Sequence, residues 1–216
     1  MCWSATADLV AGAGITCVGV ACVARVHRTG DLPLAALPLP LGVHQLVEAR
    51  VWQVGGGTGP ATVAWAVIAL PLLAVWVPAA VLCAVPRDAT ARLSIPVASG
   101  VATAGVLAYA IATRPVRAEI RGHTVGYVIG LPHAGVLIAG YLLATVGALL
   151  LSGDRWLVAL GVLAGVGALV CWALWRLEFV STWCAFAAAC SVVVFGWVVG
   201  RRPRSRSTVR PTPDTV

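Results

Sequence analysis

The chain has 216 residues, 60% of them hydrophobic and 11% charged, with a mean hydropathy of +0.93 and a formal charge of +7. Soluble domains carry about 25% charged residues, so that class is excluded. Apolar blocks that approach the roughly 20 residues of a bilayer-crossing helix imply one all-α integral membrane domain over residues 1–200 and a disordered Arg-rich tail over 201–216. All 15 basic residues are Arg, five of them in the tail. An Arg-rich segment after an apolar helix marks the cytoplasmic side and touches anionic lipid; nucleic acid is not implied.

The chain opens MCWSATAD. No basic segment precedes the first apolar run, Arg25 being the first Arg, so a signal peptide is not indicated. Ser4 stands where a helix N-cap belongs, and Asp8 falls in the first turn, where it complements the helix dipole. Removal of the initiator Met would leave Cys2 with an amine and a thiol on adjacent atoms, a metal chelate or a nucleophile with its own base.

Seven spans are predicted, at 9–26, 33–54, 61–85, 93–113, 132–152, 156–175 and 179–199. The second contains LGVHQLVEARVW, in which His44 and Glu48 share a helix face one turn apart, with Gln45 beside them. Pro38, Pro40, Pro71, Pro78 and Pro96 are expected to kink the second, third and fourth spans. Segment 114–131 reads as a small extracellular hairpin, because Ala118, Ile120, Val125 and Tyr127 alternate around Arg-Gly-His. His123 in that loop is expected to be solvated. His133 follows at the start of the fifth span. GYLLA at 140–144 and GVLAG at 161–165 carry small residues four apart, which let helix backbones approach closely in lipid. The seventh span opens FVSTWC, with Ser181, Trp183 and Cys184 near its start. Trp3, Trp52, Trp156, Trp175 and Trp197 read as interfacial belt residues. Cys17, Cys22, Cys83, Cys171 and Cys190 lie in apolar runs as small hydrophobes, and no zinc-finger spacing occurs.

Arg placement orients the spans. With the N-terminus outside, ten Arg lie inside and five outside, and both chain ends agree on N-out, C-in in a cell membrane. Cys2, Ser4, His44, Gln45, Glu48, His133, Ser181, Trp183 and Cys184 then gather near the outer face. Ionisable groups in a membrane segment face the bundle interior or a wet cavity, and pair. Three readings stay open. One is a sensor, small-ligand or ion/proton binding protein with a polar outer pocket. Another is an intramembrane hydrolase in which His44, Glu48 and His133, with Cys2, hold a divalent metal such as zinc. The third is a scaffold with a structural His–Glu pair.

The blocks MCWSATADLVAG, LPLAALPLPLGVHQLVEARVW, PLLAVWVPAAVL, GLPHAGVLIAGY and FVSTWCAFAAACSVV together resemble a family of uncharacterised, largely actinobacterial multi-pass membrane proteins. Its members begin Met-Cys-Phe/Trp-Ser and carry a His/Gln-Gln-x-x-Glu helix. The resemblance covers the spans and not the tail, and it implies no activity. The chain also resembles seven-span metal-dependent hydrolases of the alkaline-ceramidase and adiponectin-receptor type in placing His and Ser at one membrane face. Their late HxxxH is absent, since the seventh span has no His.

Overall fold

The computed structural model describes residues 4–86, 89–131, 133–174 and 178–201. These form seven helical rods and one hairpin: α1 (Ala5–Ala24); α2 (Leu32–Ala35) with α3 (Pro38–Gln53); α4 (Pro60–Val67) joined through a π-helical segment, Ile68–Leu72, to α5 (Leu73–Ala84); α6 (Thr90–Thr113); β1 (Arg117–Arg121) with β2 (Thr124–Val128); α7 (Ala134–Leu142) joined through a second π segment, Leu143–Gly147, to α8 (Ala148–Leu150); α9 (Arg155–Leu174); and α10 (Phe179–Ala189) with α11 (Ser191–Gly200). Five rods are long and apolar enough to cross a membrane: Ala5–Ala24, Pro60–Ala84, Thr90–Thr113, Arg155–Leu174 and Phe179–Gly200. Ala134–Leu150 is apolar but shorter, and α3 has only 16 residues, with His44, Gln45, Glu48 and Arg50 among them.

Local chemistry explains most of the boundaries. Ser4 caps α1, its Oγ accepting from the Ala7 amide at 3.2 Å. The break between α2 and α3 falls where Pro38 starts the new helix, a position at which the missing N–H costs nothing. Pro71 lies inside the first π segment, whereas Pro78 and Pro96 sit within continuous α5 and α6. The hairpin pairs Ala118 with Tyr127 and Ile120 with Val125, so the four alternating residues share one face, as the sequence pattern predicts. Gly122 takes the positive φ of 61° that the first position of a tight two-residue turn requires.

The tightest helix pair is α1 against α3. They run antiparallel, with Gly12 facing Gly42 and Leu46, and Gly19 facing Leu39. A Cβ on Gly42 would strike the Thr16 hydroxyl and lie 2.7 Å from the Thr16 amide nitrogen. The predicted small-residue contacts also form. A Cβ on Gly140 would lie 2.6 Å from Thr103 Oγ1, and one on Gly161 2.9 Å from Leu149 Cβ.

The end of the bundle opposite the hairpin is tied by charge. Arg201 reaches Asp31 at 3.6 Å and Asp154 at 3.4 Å and lies over the Trp197 ring. Asp154 also caps α9 by accepting from the Trp156 amide at 2.9 Å, and it accepts from the Trp197 indole at 3.2 Å. Trp197 is therefore a buried clasp residue and not the belt residue predicted. Trp156 is exposed, and Trp52 packs beneath the hairpin with Val51, Ala118 and Val125. Trp3, Trp175 and the tail beyond Arg201 lie outside the described residues.

Replacing Gly42 with Val should push α1 off α3 and cost about 1–3 kcal/mol of overpacking, read as a lower melting temperature in detergent. Gly14→Ala, where a Cβ meets nothing within 4 Å, should leave that temperature unchanged.

Candidate functional site: a buried polar group under the hairpin

α3 carries His44, Gln45 and Glu48 into the bundle with zero exposure. A carboxylate there needs donors, and its own helix offers none, because every α3 amide at that depth is committed to the helix ladder. The donors come from elsewhere. The Ser181 hydroxyl of α10 donates to Glu48 Oε1 at 2.5 Å, and the Trp65 indole of α4 donates to Oε2 at 3.3 Å. Three helices thus converge on one carboxyl group.

His44 is held differently. Its Nδ1 lies 3.2 Å from Gln45 Nε2, and its ring sits 4.8 Å from that of Trp65. His44 Nε2 and Gln45 Oε1 are buried and make no hydrogen bond among the described residues. With the amide as placed, Nδ1 accepts, so Nε2 carries the proton. A flipped amide reverses both roles. In either assignment one donor and one acceptor remain open on adjacent side chains. The direct His44–Glu48 pair suggested by their spacing does not form: each side chain is bonded to other residues.

Trp65 links the group to the hairpin. Tyr127 of β2 stacks on it, with ring centroids 3.4 Å apart and planes within 4°. The hairpin is anchored by paired bonds between Gly57 and Ala118, each 2.9 Å, and by packing of Val125 and Ala118 on Val51. It covers the site from that end. On its outward face Arg121 donates to Glu119 at 2.6 Å, a bond that raises the guanidinium pKa.

The other predicted site residues divide. Cys184 is buried in the Trp65 cluster, one turn beyond Ser181. Trp183 is buried but points elsewhere: its indole donates to the Ala164 carbonyl at 2.9 Å, and its ring meets Phe179 and Tyr141. Ser4 is an exposed cap. Cys2 lies outside the described residues. His133 shares the hairpin end, but it is exposed and begins α7 in a left-handed conformation with φ 51°. It does not join His44 and Glu48. Among the described residues no three His, Cys, Asp or Glu side chains come together as a metal site, so the His44–Glu48–His133 triad is not assembled. His123 is exposed at the hairpin turn, as expected.

Two participants, Trp65 and Tyr127, are not singled out by the sequence reading of the site. Asp8 lies in the first turn of α1, as expected, and is fully buried. It stands one turn before Gly12, which packs on Gly42 and Leu46 of the helix that carries the site.

The chain belongs to a family of unknown function, DUF6629, which matches residues 1–210. No curated protein and no solved structure gives a significant match. The chain is thus an uncharacterised helical protein with membrane-like apolar helices, and its chemistry rests on its own residues.

Ser181→Ala and Glu48→Gln should couple. In a double-mutant cycle read by thermal unfolding, the double variant should be more stable than the sum of the two losses predicts, by about 0.5–3 kcal/mol. Pairing either substitution with Gly14→Ala should give simple additivity.

Proposed function

We propose that the protein is a seven-span, N-out, C-in cell-membrane protein whose buried polar group binds a small ligand beneath the hairpin, and that it works as a sensor or binding protein. One observation carries this reading: the donor and acceptor left open on His44 and Gln45. A group kept only for packing has no use for them. Each buried polar atom without a partner costs about 1–3 kcal/mol, and such costs persist where function requires them. A ligand group that both donates and accepts would satisfy the two atoms together. The resting form is closed, with Tyr127 on Trp65, and displacement of the hairpin exposes the site. Movement of Trp65 would be felt at once by Glu48 and Ser181, which gives ligand binding a route to α10.

The short helices Pro38–Gln53 and Ala134–Leu150 complete the seven spans, and the Arg residues around the Asp31–Arg201–Asp154 clasp mark the cytoplasmic face. A fluorescent reporter that matures only in the cytoplasm, fused after Val216, should therefore be bright. A reporter active only outside would reverse the orientation.

The binding role separates from a structural one by stability. His44→Leu alone would leave the Gln45 amide without its His44 partner, so the double variant His44→Leu/Gln45→Leu is the one that removes both unsatisfied atoms, and as apo protein it should melt at the same temperature or higher. Small molecules extracted from wild-type protein in nanodiscs should include one that is missing from the double-variant preparation. A strongly destabilised double variant, with identical extracts from both proteins, would establish the scaffold role instead. Metal analysis of the same preparations tests the hydrolase alternative, which requires stoichiometric metal.

A further inference from the structure

The charge clasp at the other end of the bundle carries more positive charge than it uses. The described residues there include Arg25, Arg28, Arg92, Arg155 and Arg201, against the carboxylates of Asp31 and Asp154. Arg201 answers both acids and also donates to the Ala84 carbonyl at 3.4 Å. Asp154 is equally committed, to the Trp156 and Leu157 amides, the Trp197 indole and Arg201. Arg28 adds a contact to Asp31 at 4.0 Å. Arg155 is exposed and makes no hydrogen bond or ion pair among the described residues.

Arg155 lines a pocket of about 450 Å³ together with Gly153, Asp154, Trp156, Gly200 and Arg201. That volume falls in the range of about 300–1,000 Å³ typical of small-molecule sites. Gly153 has a φ of 75°, and a Cβ on it would lie 2.5 Å from Arg92 Nη2. Arg92 is held at that edge by its bond to the Ser152 carbonyl at 2.9 Å, so a second guanidinium borders the pocket. Because Arg201 already answers Asp154, the Arg155 charge is uncancelled, and Arg92 adds another beside it. Such a pocket attracts an anion and repels a cation. Guanidinium groups suit phosphate in particular, because two parallel N–H donors match two phosphate oxygens.

The position of the pocket indicates where the phosphate comes from. It lies where α9 begins and α11 ends, and the rods Arg155–Leu174 and Phe179–Gly200 are both long and apolar enough to cross a membrane. Trp156 at its lip is exposed and packs on α11, where a Cβ on Gly196 would lie 3.2 Å from the indole ring. Exposed Trp at the end of such a rod marks the head-group level. Leu163 and Val170, also exposed, follow Trp156 two and four turns along the same face of α9. The stripe runs for about 21 Å at 1.5 Å per residue, more than the hydrocarbon depth of one leaflet, about 15 Å. A phosphate carried on an acyl chain thus finds an apolar track that starts at the pocket. We propose that this pocket binds an anionic phospholipid, its phosphate on Arg155 and Arg92 and one acyl chain along Trp156, Leu163 and Val170. The site is distinct from the Arg-rich tail and independent of the binding role proposed for His44 and Gln45.

The test uses full-length protein in mild detergent, titrated with phosphatidylglycerol or phosphatidylcholine and read by native mass spectrometry. The first phosphatidylglycerol should bind about tenfold more tightly than phosphatidylcholine, the effect of one charged hydrogen bond. Arg155→Gln should remove that preference and leave the melting temperature unchanged, because the side chain is exposed and bonded to no described residue. Two full-length controls should keep the preference. One is Arg25→Gln, at the same end but over Phe195 and outside the pocket. The other changes Arg202, Arg204, Arg206 and Arg210 of the tail to Gln together. A preference that survives Arg155→Gln, or that is lost equally in either control, would overturn the proposal. Millimolar inorganic phosphate should leave the lipid bound. If it displaces the lipid, the pocket takes a soluble anion and the lipid assignment is wrong. None of these outcomes bears on His44 and Gln45, which lie at the other end of the bundle.

Discussion

Burying the Glu48 carboxyl is the constraint around which the hairpin end is organised. A carboxyl group at zero exposure has to be supplied with hydrogen-bond partners, and α10 and α4 supply donors. That requirement sets the rotation of both helices, because Ser181 and Trp65 must face α3. Trp65 then presents its face to Tyr127, which fixes where the hairpin lies. One carboxyl group thus ties together segments more than a hundred residues apart in sequence. The close α1–α3 contact at Gly12 and Gly42 supplies the rigid wall from which Glu48 projects. Without small residues there, α3 would stand off and its polar face would lose its depth.

The opposite end follows the same rule with different chemistry. Asp31 is nearly buried, and Arg201 answers it while also serving Asp154. The two polar clusters bracket a core built from Ala, Val, Leu and Gly, in which van der Waals packing does most of the work. Two π segments interrupt that core, and the Tyr141 hydroxyl, just ahead of the second, donates to the Ala69 carbonyl in the first at 2.6 Å. Such segments commonly accompany functional sites, and Thr145 and Val146 of the second line an apolar cavity.

Much of the fold was legible in the sequence because the signals were periodic. Apolar run length located the helical rods to within a few residues. Two-residue alternation placed Ala118, Ile120, Val125 and Tyr127 on one hairpin face. The site was half legible. His44, Gln45 and Glu48 stood out because ionisable groups in an apolar run are costly, and Ser181 because it fell at the same depth. Depth, however, is one coordinate out of three. His133 shares the end of the bundle but is exposed, and sequence spacing carries no information about rotation between distant helices. Trp65 and Tyr127 were hidden for a related reason. An aromatic in a span reads as packing, and only the tertiary contact reveals that one indole serves His44, Glu48 and Tyr127 together. Trp197 went the other way: its place near a helix end suggested an interfacial belt, while Asp154 holds it inside.

The central claim is that His44 and Gln45 keep one donor and one acceptor for a ligand. An experimental structure of the full-length protein in a lipid bilayer, at a resolution that shows bound small molecules, tests this most directly. The account predicts non-protein density within hydrogen-bond distance, about 2.7–3.2 Å, of both His44 Nε2 and Gln45 Oε1. If both atoms are instead bonded to groups of the protein itself, the polar group is a structural one and the claim is wrong.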